Sequence, residues 1–248
     1  MHPVDELFAA MPMVEPYPDG VVAVPARIPG VAFFPGGSGL WGAAPGKPLP
    51  SMPTGGIMVL GHDFHSEKGF HASLAQGTEV SDVPRDNYRI PATWTNLRRL
   101  FTEADVPMER CFFTNAYMGL RKGDATTGRF PGSRDHGFVK RCRQFFLRQV
   151  EAQQPSVILT LGTWVPAFIA PLSDQLEGWK SVGSIRSLDK AGPIVRGVRF
   201  HDVNAPACTV AGLTHPSLRG SNVGRRRYGG LEGHAAELAM IREAVQTA

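Results

Sequence analysis

The sequence predicts a single α/β domain with a central, mainly parallel four-stranded sheet flanked by helices. Three observations carry that expectation. Four short apolar runs, at 57–61, 111–115, 156–162 and 208–213, each end in glycine or polar residues, as strands covered on both faces do. Segments of helical periodicity lie between them, and alternating strands and helices imply parallel pairing through right-handed crossovers. No internal repeat and no strong linker divides the 248 residues, so one domain spanning 1–248 is expected.

Residues 1–56 are rich in Pro and Gly but carry the apolar patches Val21 to Val24 and Val31 to Phe34. They are read as an irregular arm wrapped over the core, too aromatic for a free linker. The first strand follows at 57–61, then a long loop from His62 to about Arg89, of a length that is usually functional. Ile90 to Phe101 reads as a proline turn entering a helix with Trp94, Leu97, Leu100 and Phe101 on one face. The second strand, 111–115, ends in Asn115. His136 to Gln153 is amphipathic at helical spacing through Val139, Cys142, Phe146 and Val150. After the third strand, Thr163 is placed to cap a short helix that tolerates Pro166 in its first turn. Gly178 to Val203 suggests a hairpin or irregular excursion. The fourth strand then leads into a loop from Thr214 to Asn222, and a helix closes the chain over about 231–245.

The three cysteines, Cys111, Cys142 and Cys208, have no paired spacing, which indicates neither a disulfide framework nor a zinc or iron-sulfur site. The N-terminus lacks the basic start and apolar core of a signal peptide, and no run is long enough to span a membrane. An intracellular, soluble monomer is expected. Lys and Arg number 26 against 22 Asp and Glu. The excess is uneven: Arg219, Arg225, Arg226 and Arg227 form one acid-free cluster, and Arg129, Arg134, Lys140, Arg141 and Arg143 a looser one. Such clusters bind polyanions or simply form solvated surface.

Chemistry is expected at the strand ends, because ligands of open parallel sheets collect at the carboxyl ends of the strands. Asp63 follows the first strand, Asn115 ends the second and His215 follows the fourth. Gly61 lets the backbone approach a ligand. Singly, each of these polar residues is as readily a turn former or cap; their convergence on neighbouring strand ends is what points to a site.

Gly61-His62-Asp63 followed by an aromatic residue, Thr114-Asn115-Ala116, Leu159-Thr160-Leu161-Gly162-Thr163 and His215-Pro216-Ser217-Leu218 resemble, in order and spacing, the motifs of the uracil-DNA glycosylase superfamily. The resemblance covers roughly residues 50–245. It implies that superfamily's three-layer fold and hydrolysis of the N-glycosidic bond of uracil, or of another deaminated base, in DNA, with no cofactor and no metal. By the same resemblance Asp63 would orient or activate the attacking water and stabilise positive charge on the sugar. His215 would stabilise negative charge on the leaving base. Asn115 would read the pyrimidine edge, with Gly61, His62 and His65 beside it, and Phe70 would stack on the flipped base. Pro91 and Thr93 fall where the superfamily has a loop against the DNA backbone. Thr163, Ser217, Arg219, Arg225, Arg226 and Arg227 would contact DNA, and Leu218 or Arg219 would fill the gap left in the duplex.

The chain departs from the best-known branch, which has Pro and then Tyr where Phe64 and His65 stand here, and its three scattered cysteines cannot supply the four of the iron-sulfur branches. Its loop after Ser217 is longer and more basic. Two other readings compete. His62, Asp63, His65 and His71 could serve a metal-dependent phosphoester hydrolase, although their spacing matches no metal motif. The fold could also bind DNA without catalysis.

Overall fold

A computed structural model describes residues 1–28, 31–43, 46–75 and 92–246. In chain order the helices are α1 (Pro3–Ala10), α2 (Glu67–Ala75), α3 (Ala92–Glu103), α4 (His136–Gln153), α5 (Trp164–Ile169), α6 (Ile185–Ala191), α7 (Arg219–Asn222) and α8 (Gly233–Gln246). The strands are β1 (Val21–Val22), β2 (Ile57–Gly61), β3 (Cys111–Asn115), β4 (Leu120–Arg121), β5 (Val157–Leu161), β6 (Ile194–Val198), β7 (Cys208–Leu213), β8 (Arg227–Tyr228) and β9 (Leu231–Glu232).

Among the described residues the central sheet has five strands in the order β3-β2-β5-β7-β6, where the sequence predicts four. The four expected strands are mutually parallel and β6 runs antiparallel on the edge beside β7. β6 escapes sequence reading because Arg196 and Gly197 break its apolar run, and most of it lies on the surface. It occupies part of the 178–203 stretch, together with α6.

Side-chain alternation along the strands explains why the sheet needs cover on both faces. Met58 and Leu60 of β2, Phe112 of β3, Ile158 of β5 and Val210 of β7 point into one core, shared with Phe138, Phe145 and Phe146 of α4. Ile57 and Val59, Phe113, Leu159, and Ala211 and Leu213 point into the other, closed by Trp94, Leu97, Leu100 and Phe101 of α3 and by Ile241 and Ala244 of α8.

The N-terminal segment is more regular than its composition predicts. It contains α1 and pairs β1 with β4, Val21 opposite Arg121. It also covers the free edge of β3: Phe34 N–H donates to Phe113 O (2.9 Å) and Phe113 N–H to Gly39 O (2.8 Å). An open sheet edge is thereby closed within the chain. Among the described residues no helix is long and apolar enough to cross a membrane.

The basic loop is rearranged relative to expectation. Arg226 is 0% exposed: its Nη2 donates to Gly212 O (2.8 Å) and faces Asp189 (3.3 Å). It cannot contact phosphate, and burial pulls its guanidinium down to about 10 despite the Asp189 charge. Arg219 is buried too, paired with Glu237 and against the His234 ring, so it is neither a phosphate contact nor a wedge. Arg227 is exposed but paired with Glu232 (2.9 Å). Arg225 is exposed and, among the described residues, bonded only to Asn222. Of the looser group, Arg141 is spent on the carbonyls of Val14 and Pro16, and Arg143 on that of Phe168.

Removing one partner of a buried ion pair leaves the other charge uncompensated, at about 3–5 kcal/mol. Arg226→Ala is therefore expected to lower stability by that amount in urea denaturation, with part recovered by adding Asp189→Leu.

Candidate active site

The parallel register sets the site. Gly61 pairs with Asn115, Leu60 with Thr160 and Leu161 with Leu213, so four adjacent strands finish at one level. The ladder continues briefly past the strands, with Ala116 N–H donating to Gly61 O and Gly162 N–H to Leu213 O (both 2.9 Å). The segments carrying Asn115, His62 and Asp63, Gly162 to Trp164, and His215 therefore emerge side by side in that order.

Two glycines make the close approach possible. A Cβ on Gly61 would collide with Asn115 Oδ1, so the missing side chain is what lets the Asn115 amide lie across the end of β2. Asn115 is 4% exposed, and among the described residues no hydrogen bond engages its side chain. Gly162 adopts φ +85°, and a Cβ there would sit 3.2 Å from the His215 Cβ. That backbone conformation favours glycine.

Both oxygens of the Asp63 carboxylate are bonded. Its Oδ2 accepts from Arg121 Nη2 (2.7 Å) and lies 2.8 Å from His62 Nδ1. Its Oδ1 accepts from the His65 N–H (3.0 Å) and, more weakly, from Arg121 Nε (3.5 Å). Burial alone would raise its pKa, but the hydrogen bonds and charges of His62 and Arg121 outweigh burial and hold the carboxyl well below its usual range. Asp63 is thus a permanent carboxylate. A carboxylate offers about four lone-pair positions and all four are engaged, so the expected role in orienting a water has no free acceptor, while the electrostatic role keeps its charge.

Arg121 has no place in the sequence reading. Its guanidinium is buried, with Nη1 donating to Thr127 O and Arg129 O (both 3.1 Å), Nη2 to Gly128 O (2.8 Å), and its face over Phe130. Arg121 N–H donates to His65 O (3.0 Å), and β1 pairs with the strand that carries it. The one signal available was a charged residue directly after the apolar stretch Ala116 to Leu120.

His215 is partly buried. Its Nδ1 accepts from Ser217 Oγ (2.8 Å) and from the Ser217 N–H (3.3 Å). A nitrogen that accepts a backbone N–H carries no proton, so the neutral ring bears its proton on Nε2. Burial lowers the pKa of His215, as does His62, while Asp63 acts in the opposite sense. Its loop is held from two sides, by Asn96 of α3 donating to Pro216 O (2.8 Å) and by buried Glu237 of α8 accepting from the Thr214 N–H (2.5 Å).

The remaining expected residues divide. Leu218 stands 53% exposed in the His215 loop, and Ser217 is exposed beside it. Thr163 stands at the N-cap of α5 without a side-chain cap bond, and Thr93 lies in the first turn of α3. Pro91 lies outside the described residues. Phe70 is 3% exposed within the core, so it has no face to offer a base. His65 is exposed at φ 88° with its ring against Gly69, turned towards α2. Among the described residues no three His, Cys, Asp or Glu side chains group as a metal ion would need.

The chain matches no protein-family model and no curated protein sequence. The functional reading therefore rests on the residues and their geometry.

Arg121→Gln is expected to cost about 3–5 kcal/mol at neutral pH, because it strands a buried carboxylate. Since the Asp63 pKa is depressed in the folded state, the pairing stabilises the fold above the unfolded-state value and is lost as pH falls through the folded one. The variant should accordingly lose less stability than the parent when acidified below the ordinary aspartate value of 3.8. Urea titrations at several pH values measure both effects.

Proposed function

We propose that the protein is a DNA glycosylase that hydrolyses the N-glycosidic bond of uracil, or of another deaminated base, and leaves an abasic site, on a fold of the uracil-DNA glycosylase type. The observation that carries the proposal is the pairing of opposite electrostatic roles on neighbouring strand ends: a permanent carboxylate at Asp63 and a neutral, Nε2-protonated imidazole at His215. Breaking the C1′–N1 bond leaves the electron pair on the base and a positive, oxocarbenium-like sugar. A fixed anion near the sugar and a fixed donor near the base oxygen both stabilise that separation more than they stabilise the substrate. Water then adds to C1′ and releases a proton, which balances the charge on the departing base. Addition of water to so electrophilic a carbon needs no strong base, in keeping with an Asp63 whose lone pairs are already filled. Asn115, with both donor and acceptor on one planar amide, suits the O4 and N3–H of a pyrimidine edge.

The substrate must leave its stack, at a cost of a few kcal/mol. Exposed Leu218 fits the vacated space, and Arg225 is the member of the basic loop left open to phosphate.

A second reading is a nucleic-acid-binding protein of the same fold without catalysis. The observation that favours it is the same saturation of Asp63, which a purely structural carboxylate would also show. Asp63→Asn separates the two: it removes the charge at nearly constant side-chain size, and the folded variant is the one to be assayed. With oligonucleotides carrying one uracil, in the presence of a chelator, the parent is expected to produce alkali-labile sites. Asp63→Asn should slow that step by at least two orders of magnitude with DNA affinity retained. Activity should be level near neutral pH and fall on acidification through the lowered pKa of His215, as the ring gains a second proton. Base release by Asp63→Asn at the parent rate, or no release by either protein, would leave the binding reading. Activity lost with chelator and restored by a divalent cation would favour a metal-dependent hydrolase instead.

A further inference from the structure

Phe70, the ring that the resemblance would place on the flipped base, is buried. We infer that Trp164 supplies a stacking platform for an unpaired nucleobase at the mouth of the site. The inference deepens the proposed function and rests on that reading for its location, but the binding it describes requires no catalysis.

Trp164 opens α5 immediately after the β5 strand end. In the sheet order β5 lies between β2, which delivers His62 and Asp63, and β7, which delivers His215. The residue after Gly162-Thr163 therefore rises from the middle of the site. The indole lies nearly parallel to the His62 ring, with planes at 23° and centroids 6.0 Å apart, and His62 in turn is bonded to Asp63. The edge of Tyr117 supports the same imidazole (5.3 Å). One side of the indole is thus braced by the charged cluster, yet the residue as a whole is 50% exposed.

That exposure is unusual within this chain. Trp94 and Trp179 are 3% and 1% exposed, and Trp41 is half-buried against Trp94 and Phe113. Phe33, whose ring lies against Gly61, is spent on contacts with Trp94 and Phe113. Leaving a large indole half in water forgoes burial that would stabilise the fold. Stacking with a flat heterocycle recovers that area, and a base–aromatic stack is tolerant of base identity because every base has a π-face. The platform supplies attraction, and discrimination is left to Asn115 and His215.

The test reads binding rather than base release. Indole emission of the parent is titrated with a single-stranded oligothymidine, which carries no excisable uracil, and with a backbone of the same length and charge made of abasic sites. The oligothymidine is expected to quench the emission and the abasic strand not to. By fluorescence anisotropy of a labelled oligothymidine, Trp164→Ala should bind about tenfold more weakly and Trp164→Phe within about threefold of the parent. Equal quenching by both strands, or parent-like affinity of Trp164→Ala, overturns the inference. If Trp164→Ala does not fold, the comparison of the two strands on the parent decides. Weakened binding by Trp164→Ala together with no uracil release by the parent would sustain the platform and remove the glycosylase.

Discussion

The site depends above all on the ion pair between Asp63 and Arg121. Burying a carboxylate and a guanidinium costs several kcal/mol per ion unless geometry and additional hydrogen bonds compensate. Here the compensation is drawn from distant parts of the chain. The loop carbonyls of Thr127, Gly128 and Arg129 fill the guanidinium's other donors, and His62 and the His65 N–H fill the carboxylate. The N-terminal segment takes part as well, because β1 pairs with the strand that carries Arg121. The Pro- and Gly-rich arm and the strand end that carries Asp63 are thereby parts of one structure.

The pair also sets the chemistry available at this edge of the sheet. A carboxylate held far below its usual pKa with its lone pairs engaged is a poor base and a good fixed charge. Across the end of β5, His215 is kept neutral by burial and presents Nε2–H because Ser217 occupies Nδ1. A constant anion and a constant neutral donor suit a reaction that separates charge along a breaking bond better than one that shuttles a proton.

Much of this was legible in the sequence, and the failures have identifiable causes. Strands buried on both faces announce themselves as unbroken apolar runs, which is why β2, β3, β5 and β7 could be placed and the convergence of Asp63, Asn115 and His215 anticipated. An exposed edge strand interrupted by Arg196 and Gly197 carries no such signal. Partners distant in sequence are also silent: Arg121 meets a carboxylate 58 residues away, and Arg226 finds Asp189 across another crossover, so a run of three arginines looked like surface when its middle member is core. Phe70, given a stacking role by the resemblance, is buried, because local pattern places aromatics on elements but only tertiary packing decides which ring keeps a free face.

The most direct measurement of the central claim, that the strand ends of β2, β3 and β7 form one nucleobase site, is an NMR titration of the isotopically labelled protein with free uracil. The account predicts that the Asn115 side-chain amide and the His215 ring resonances shift together with one saturating dependence, and that the His215 nitrogens report a neutral ring protonated on Nε2 before uracil is added. Uracil that leaves both groups unmoved at saturating concentration, or a His215 that is already doubly protonated at neutral pH, would contradict it.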